Sequence, residues 1–392
     1  MIKITLRKNL MYIVQLFLHY YLRRVDYTII KILYPFNDSL IFTFIMHLGE
    51  FFGGLVSYIY QNAFLKKKQD NKNSLIFKLM PKPKMNRIDG NVKIYLLIFF
   101  AAFFDFSEYV LLTFFIPKIA KISHTADFRL MSITTISSSL IVRYALKIKI
   151  GRHQFYSLII MGICLFIVLI VELVYQTQVA SFGNLFFAYL LTILSLVFIT
   201  FTDIIEKYLT EFNFINPFII LMAESIIGMI LLFSYSYEEN PFRAISKFYG
   251  DLDAGNSVLL IFLLFLYFVF SAGTNIYKLL SNVLYSPMAK SVATYVLNPL
   301  LIIYSYFFED DFKSDGKQSI VYLIINIILS IIIDFFGCVY NEFFILYCFH
   351  MDHETHYIIS HRARIQSEEA INDLKTINMD ENNEENTEDI FV

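Results

Sequence analysis

The chain has no tryptophan, little glycine, only three cysteines and few charges for its 392 residues. Charged residues make up 17%, whereas soluble domains carry about 25%. The cysteines, Cys164, Cys338 and Cys348, all lie in or beside apolar segments, which is typical of packing residues and gives no indication of a disulfide framework. The wealth of Ile, Phe, Tyr, Lys and Asn follows genome composition and indicates no function.

The sequence also lacks the short motifs of common enzymes. It has no glycine-rich phosphate loop, no His-Glu-x-x-His helix and no Gly-x-Ser-x-Gly elbow. His350, His353 and His356 follow the last apolar segment at a spacing of three, which suits metal ligation but suits a turn at the membrane edge better. We therefore predict that the chain is not an enzyme, with no catalytic residue, no metal site and no cofactor.

Long apolar runs are what the sequence does contain. It is 57% hydrophobic with a mean hydropathy of +0.57, and the apolar residues fall into runs of about twenty, the length that crosses a bilayer. The alternating segments of about ten residues that mark a transmembrane barrel are absent. This predicts an all-α multi-pass membrane protein. The nine clear segments are residues 39–60, 94–116, 126–146, 154–175, 182–205, 217–236, 257–280, 288–308 and 319–345.

The basic N-terminus, residues 1–36, leaves the number of spans open. An apolar stretch over residues 9–22 stops at Arg23-Arg24, so it is either a short first span or an interfacial helix. We favour the span, which gives about ten, and no cleavage site of a signal peptide follows it. The fourth segment carries Arg129 and many Ser and Thr, so it must face other helices or a cavity.

The distribution of charge predicts the orientation. The loop over residues 62–93 contains nine Lys and Arg, which indicates the cytoplasmic side. With ten spans, both termini are then cytoplasmic. The acidic tail, residues 351–392, is expected to be disordered, either as a solvated tail or as a binding or trafficking segment. The expected location is an endomembrane (Golgi, lysosome or vesicle) or the plasma membrane.

The spacing of polar residues indicates an internal repeat. Two halves of five spans, residues 37–180 with the first span and residues 181–350, must be inverted because five is odd. The alternative is a chance alignment. Four spacings in the first half recur at the same length in the second half. Asp105 to Pro117 recurs as Asn275 to Pro287, Glu108 to Pro117 as Lys278 to Pro287, Thr125 to Arg129 as Ser286 to Lys290, and Glu50 to Gly54 as Glu224 to Gly228.

Eight ionisable side chains lie inside the segments, where each charge costs about 2.5–3.5 kcal/mol at mid-bilayer. They are Glu50, Asp105, Glu108, Arg129, Glu224, Lys278, Lys290 and Asp334. We expect them to face a shared interior and to pair there. Arg129 and Lys290 are the candidates for contact with an anionic substrate. Glu50, Asp105, Glu108 and Glu224 are candidate partners, proton carriers or locks between helices. The alternative for each is a structural salt bridge or a snorkelling side chain.

Two further groups of residues are given structural roles. Gly53, Gly54, Gly228 and Gly273 are expected where helices pack closely. Glu206, Lys207 and Glu211 are expected at a cytoplasmic hinge that joins the two halves.

Several short motifs resemble the drug/metabolite transporter superfamily, in the branch near solute carrier family 35 member F, over residues 39–350. The motifs are Met46-His-Leu-Gly-Glu50-Phe, Phe104-Asp105, Glu206-Lys207-Tyr208-Leu209, Asn216-Pro217, Glu224-Ser-Ile-Ile-Gly228, Ser286-Pro287-x-x-Lys290-Ser291-Val292 and Gly337-Cys-Val-Tyr340-Asn341-Glu342. The resemblance implies ten helices in two inverted repeats, a central cavity and alternating access. Family substrates include nucleotide sugars and other metabolites, so the substrate does not carry over.

Our leading hypothesis is a secondary transporter or antiporter of a small polar, anionic metabolite. The alternative is a non-transporting membrane scaffold or receptor-like protein that kept the fold. The expected partners are the lipid bilayer and a small-molecule substrate, with a homodimer as an option and no nucleic acid.

Overall fold

The computed structural model describes residues 2–4, 10–33, 39–65, 91–119, 130–146, 150–176, 181–211, 213–235, 257–284, 286–296, 298–308, 320–347 and 355. These residues are almost entirely helical. The helices are α1 (Leu10–Leu33), α2 (Ser39–Tyr60), α3 (Asn91–Val110), α4 (Ile116–Ile119), α5 (Ser132–Leu146), α6 (Arg152–Gln176), α7 (Phe182–Glu211), α8 (Pro217–Tyr235), α9 (Ser257–Leu284), α10 (Pro287–Tyr295), α11 (Asn298–Phe308) and α12 (Ile320–Tyr340).

Seven helical runs in the described part of the chain are long and apolar enough to cross a membrane. They are α2, α3 with α4, α6, α7, α8, α9 and α12. The chain is thus a helical membrane protein, as its composition predicts. Helix α1 has 24 residues, which at about 1.5 Å per residue is also long enough for a bilayer core. Its charged residues keep its hydropathy below that of the seven.

Proline explains two irregularities in the helices. A π-helical turn, Leu111–Phe115, joins α3 to α4 just before Pro117, because proline lacks an N–H and its ring clashes with the carbonyl four residues earlier. The segment predicted as one helix over residues 288–308 is instead two, since α10 ends at Tyr295 and α11 begins at Asn298. Pro299 in the first turn of α11 disfavours a continuous helix in the same way.

Polar caps begin the two helices that follow short connections. Asn216 accepts a hydrogen bond from the backbone N–H of Phe218 at 3.0 Å, with Pro217 as the first residue of α8. Ser286 accepts one from the N–H of Ala289 at 3.0 Å, with Pro287 as the first residue of α10. Both arrangements satisfy an otherwise free N–H and fix where the helix begins.

The last predicted segment ends earlier than expected. Helix α12 stops at Tyr340, and Glu342 has a positive φ of 59°. The following residues form strand β2 (Phe344–Leu346), which pairs antiparallel with strand β1 (Ile2–Ile4), with Lys3 opposite Ile345. The prediction of helix to residue 345 is wrong for this reason. The pairing brings the two ends of the helical region together.

The helices pack in a small number of extensive contacts. Helix α1 lies along α9, and α3 lies along α7. Helix α2 packs against α8 and α9, α8 packs against α3, and α6 packs against α12. Helix α5 contacts α7 and α10. The largest apolar core lies among α5, α6, α7, α10 and α12, around buried residues such as Met161, Leu196 and Tyr295.

Glycines make the closest helix contacts possible, as predicted from the sequence. A Cβ atom at Gly54 would lie 3.0 Å from Met222 of α8, and one at Gly228 would lie 2.6 Å from the His47 ring of α2. Gly53 faces Ala272 of α9, and Gly273 faces His19 of α1. The prediction for these four glycines is confirmed.

Candidate functional site

A cavity of about 390 Å³ lies among α1, α2, α3, α5, α7, α9 and α10. Its described lining contains as many cationic as anionic side chains. The cationic residues are Arg23, Arg24, Lys278 and Lys290, and the anionic residues are Glu50, Asp105, Glu108 and Asp203. Charges of both signs therefore converge on one space inside an otherwise apolar set of helices, which is how membrane proteins accommodate ionisable groups.

One end of the cavity is closed by a polar network between α7, α9 and α10. Lys290 of α10 forms a buried ion pair with Asp203 of α7. Asn282 of α9 donates to the carbonyl oxygen of Asp203 at 2.8 Å and to the Glu206 carboxylate at 2.7 Å. These bonds compensate the cost of burying Asp203 and Glu206, because buried charges need partners. We call Asp203, Glu206, Asn282 and Lys290 the closing network.

A lysine near the end of α7 extends this closure. The Lys207 ammonium donates to the carbonyl oxygens of Asn282 and Val283, at 3.2 and 3.0 Å, in the last turn of α9. It also pairs with Glu211 at 2.7 Å, one turn further along α7. A cation at a helix C-terminus binds carbonyls that have no partner within the helix. The structural role predicted for Lys207 and Glu211 agrees with these contacts.

A second ion pair spans the cavity between α3 and α9. The Lys278 ammonium lies 3.4 Å from the Asp105 carboxylate, and the two side chains are 25% and 21% exposed. This partial exposure means that the pair faces the cavity, where solvent reduces its contribution to stability. Thr274, Asn275 and Lys278 all line the cavity because residues three and four apart share one helix face.

Two of the predicted carboxylates lie where α2 meets its neighbours. Glu50 lines the cavity and is 3.2 Å from the Nδ1 of His47, one turn earlier in α2. Glu224 of α8 is buried but is not part of the cavity lining. Its Oε1 atom has no hydrogen-bond partner among the described residues. Glu224 nevertheless lies close enough to Glu50, Asp105 and Lys278 to interact with them electrostatically, so its predicted role beside Glu50 stays a prediction.

The other predicted site residues divide clearly. Lys290, Asp105 and Glu108 line the cavity together with Glu50. Arg129 lies outside the described residues, as do His350, His353 and His356. Asp334 is buried in α12 away from the cavity. Four of the six candidate binding residues are thus brought together.

Sequence reasoning missed the arginines of α1. Arg23 and Arg24 line the cavity beside Tyr20 and Tyr27, and the Arg23 guanidinium lies 5.5 Å from the centre of the Tyr20 ring. Spacing of three and four residues within an unbroken helix was the available signal, because Tyr20, Arg24 and Tyr27 share a face. The arginines instead suggested an interruption of the apolar stretch.

Aromatic rings form one wall of the cavity. Phe42 packs edge-on against Tyr27 and Tyr267, with ring centres 4.8 and 5.2 Å apart. Edge-to-face packing fixes the rings without filling the space in front of them. The site therefore combines charged groups with an aromatic wall, which suits a polar solute that has a flat or apolar part.

A further buried carboxylate lies outside the cavity. Glu172 of α6 is fully buried and accepts hydrogen bonds from the hydroxyls of Tyr189 and Tyr322, at 3.0 and 2.6 Å. These bonds connect α6, α7 and α12. Sequence reasoning did not single out Glu172, since a lone Glu near a span end resembles a snorkelling residue.

No group of three or more His, Cys, Asp or Glu side chains suited to a metal ion occurs within the described ranges. The two described cysteines, Cys164 and Cys338, are buried free thiols.

No family model matches the chain, and no curated protein matches it either. What the geometry defines is a class: a helical membrane protein with a charged, aromatic-lined cavity among its helices.

Proposed function

We propose that the protein is a secondary transporter or antiporter of a small polar metabolite that carries an anionic group. The observation that carries the proposal is the cavity, where eight charged side chains from six helices converge. Eight charges are costly in a membrane protein, because inserting one charged side chain at the middle of a bilayer costs about 2.5–3.5 kcal/mol on scales derived from membrane insertion. A water-filled binding site for a polar solute explains why they face one space.

Ten crossings form part of this proposal, and the strand pairing supports them. Strands β1 and β2 can pair only on one side of the membrane, so the chain between them must cross an even number of times. The seven helical runs that qualify by length and composition all lie between the two strands, and seven is odd. If all seven cross, one or all three of α1, α5 and α10–α11, the other long helices of the described residues, cross as well, which supports eight or ten crossings.

The helix contacts favour two inverted repeats, with α1, α2, α3, α5 and α6 matched to α7, α8, α9, α10–α11 and α12. The contact of α1 with α9 matches that of α7 with α3. The contact of α2 with α9 matches that of α8 with α3, and that of α5 with α7 matches that of α10 with α1. Helices related by the symmetry contact each other in the pairs α2–α8, α5–α10 and α6–α12. Such a pattern is expected of an inverted repeat.

The direction in which the cavity faces suggests how the solute moves. The cavity extends to Pro117 of α4 and Met131 just before α5, at the end of the bundle that the charge distribution assigns to the non-cytoplasmic side. The closing network lies towards the opposite, cytoplasmic end. We therefore assign the described arrangement to the outward-facing state of the proposed transporter. Alternating access requires the closing network to separate while the outer ends of the helices approach one another.

Substrate binding and opening are linked in this proposal through Lys290. Lys290 lines the cavity and also holds Asp203. An anionic group of the substrate competes with Asp203 for the lysine and so weakens the contact between α7 and α10. The volume of about 390 Å³ is near the lower end of the roughly 300–1,000 Å³ of small-molecule sites. This favours a phosphorylated or carboxylated small metabolite over a whole nucleotide sugar.

The first experiment is a thermal-shift screen of the purified protein against nucleotide sugars, nucleotides, amino acids and phosphorylated metabolites. A solute that binds only the folded state raises the melting temperature. Uptake of the best hit is then measured in vesicles. We expect Lys290→Gln, which keeps a hydrogen-bond donor for Asp203, to abolish uptake while the folded protein is retained, and Lys118→Gln, at an exposed residue of α4 outside the cavity lining, to transport normally. Unchanged uptake by Lys290→Gln removes Lys290 from the site.

The same assay separates transport from the scaffold hypothesis. Deletion of residues 368–392 removes most of the acidic tail and leaves the cavity intact. A transporter retains uptake after this deletion. A protein that acts only through its tail loses its partner, and its full-length form transports none of the solutes that bind.

A further inference from the structure

Asp334 is a buried carboxyl group for which the cavity gives no role. It lies in α12, is 7% exposed, and is not part of the cavity lining. Neither of its oxygens has a hydrogen-bond partner among the described residues, and none of the ion pairs in that part of the chain includes it. Glu172 shows the contrast, because two tyrosine hydroxyls satisfy that carboxylate.

The surroundings of Asp334 connect it to the cavity wall through hydroxyl groups. One turn further along α12, the absence of a side chain at Gly337 makes room for Tyr295, since a Cβ there would lie 2.6 Å from the Tyr295 hydroxyl oxygen. That hydroxyl is 3.0 Å from the Thr135 hydroxyl of α5, and Thr134 beside it lines the cavity. Tyr295 is also close enough to interact electrostatically with Asp334.

No ion pair joins Asp334 to a cation among the described residues. The titratable groups on the elements packed against α12 include Tyr295 and Lys290 of α10, Cys164, Glu172 and His153 of α6, and Cys338 and Tyr340 of α12 itself. Of the two cations, Lys290 pairs with Asp203, and His153 lies 3.4 Å from Glu342 just beyond the end of α12. Helix α5 contributes the hydroxyls of Thr135 and Ser139. The described buried side chains of α11, Leu301 and Ile302, are apolar, as is Ile345 of β2. An ionised Asp334 thus has no compensating partner in this state.

A proton is the ligand that fits this site. An isolated carboxylate in an apolar interior is so unfavourable that the group takes up a proton instead. A metal cation does not fit equally well, because hard cations need about six or more oxygen ligands and no polar atom of a described residue bonds to the Asp334 oxygens. Rotation of the Asp334 side chain towards the Tyr295 hydroxyl would complete a hydroxyl route to Thr135, whose neighbour Thr134 lines the cavity.

We infer that Asp334 is a proton-binding site, separate from the solute cavity, which exchanges its proton with cavity water along Tyr295 and Thr135. In the release step the O–H bond of the carboxyl group breaks, the proton passes to water, and the carboxylate keeps the electron pair. Coupling of this step to solute movement would make the protein a proton-coupled transporter. That second part rests on the proposed transport function, while the proton site itself does not.

The test is infrared difference spectroscopy of the purified full-length protein in lipid, without any solute. Spectra are recorded in neutral and alkaline buffer, in H₂O and D₂O. We expect a carbonyl band of a protonated carboxyl group that shifts in D₂O, is lost in Asp334→Asn, and remains in the control variant Glu172→Gln. The same band in Asp334→Asn overturns the inference.

Two further variants keep the test decisive. If Asp334→Asn does not fold, Asp334→Glu keeps an ionisable group and must shift the band, and an unshifted band contradicts the assignment. Tyr295→Phe keeps the ring and should retain the band but slow proton release after a pH jump, and an unchanged rate excludes the hydroxyl route. If the protein binds the proton but moves no solute, the transport proposal is disproved and the proton site stands. If it takes up solute but shows no Asp334 band, the proton site is disproved and the transport proposal stands.

Discussion

At the scale of single residues, Glu172 shows how much two hydroxyl groups matter in an apolar interior. Its carboxylate accepts hydrogen bonds from the hydroxyls of Tyr189 and Tyr322, and these bonds connect three helices. We predict that Tyr322→Phe lowers the free energy of unfolding by about 1–3 kcal/mol, because a buried acceptor loses a partner. Denaturation in detergent, followed by circular dichroism, measures this loss. Tyr144→Phe, at a residue that is 76% exposed, is the matched control and should be neutral.

The two glycines Gly228 and Gly162 give a second residue-level prediction. A Cβ at Gly228 would lie 2.6 Å from the His47 ring, whereas one at Gly162 meets nothing within 4 Å. We expect Gly228→Ala to cost about 1–3 kcal/mol through overpacking. Gly162→Ala should be neutral or stabilising by up to about 1 kcal/mol, because alanine favours helix. Equal melting temperatures of the two variants would contradict the close α2–α8 contact.

Single residues also mark what the sequence was able to predict. Charges within apolar runs identified Lys290, Glu50, Asp105 and Glu108, all of which line the cavity. Glu224 and Asp334 are also buried but are not part of the cavity lining. Which face of a helix points towards the cavity depends on the helices packed against it, and a single sequence does not show that packing.

At the scale of helices, Lys207 connects the end of α7 to the last turn of α9. Its ammonium binds the carbonyl oxygens of Asn282 and Val283. If the cytoplasmic end opens during transport, Lys207→Met should favour the open state and increase labelling of a cysteine placed at Ser281, which is buried beside this contact. The labelling rate with a membrane-impermeant thiol reagent measures this. Glu211→Gln, which keeps the carbonyl contacts, is the control, and equal labelling of both variants argues against a gate here.

The ends of a helix were predictable where an apolar run determines them. They were not predictable where a proline or the pairing of two strands determines them. Segments such as residues 39–60 and 217–236 agree with α2 and α8 within one residue. The break between α10 and α11 depends on Pro299, and the early end of α12 depends on the strand that follows. Helix α1 was ambiguous because Arg23 and Arg24 interrupted its apolar stretch, although both line the cavity.

At the scale of the whole molecule, the pairing of β1 with β2 predicts that both termini share one side of the membrane. Epitope tags at the N- and C-terminus should become accessible to antibody together, under the same permeabilisation condition. With the basic loop over residues 62–93 as the reference, we predict that this side is the cytoplasm. Tags that become accessible under different conditions would require an odd number of crossings and would disprove the pairing in the membrane.

The small sheet has a consequence for synthesis. Strand β1 leaves the ribosome first, but its partner is made only after the last membrane-crossing helix. At about 5–20 residues per second, β1 waits roughly 20–70 s for β2. Until then its backbone donors and acceptors are bound only by water or by a chaperone. Completion of the sheet therefore coincides with completion of the bundle, so a quality-control factor that recognises an exposed N-terminal strand would retain every chain whose final helix had not been inserted.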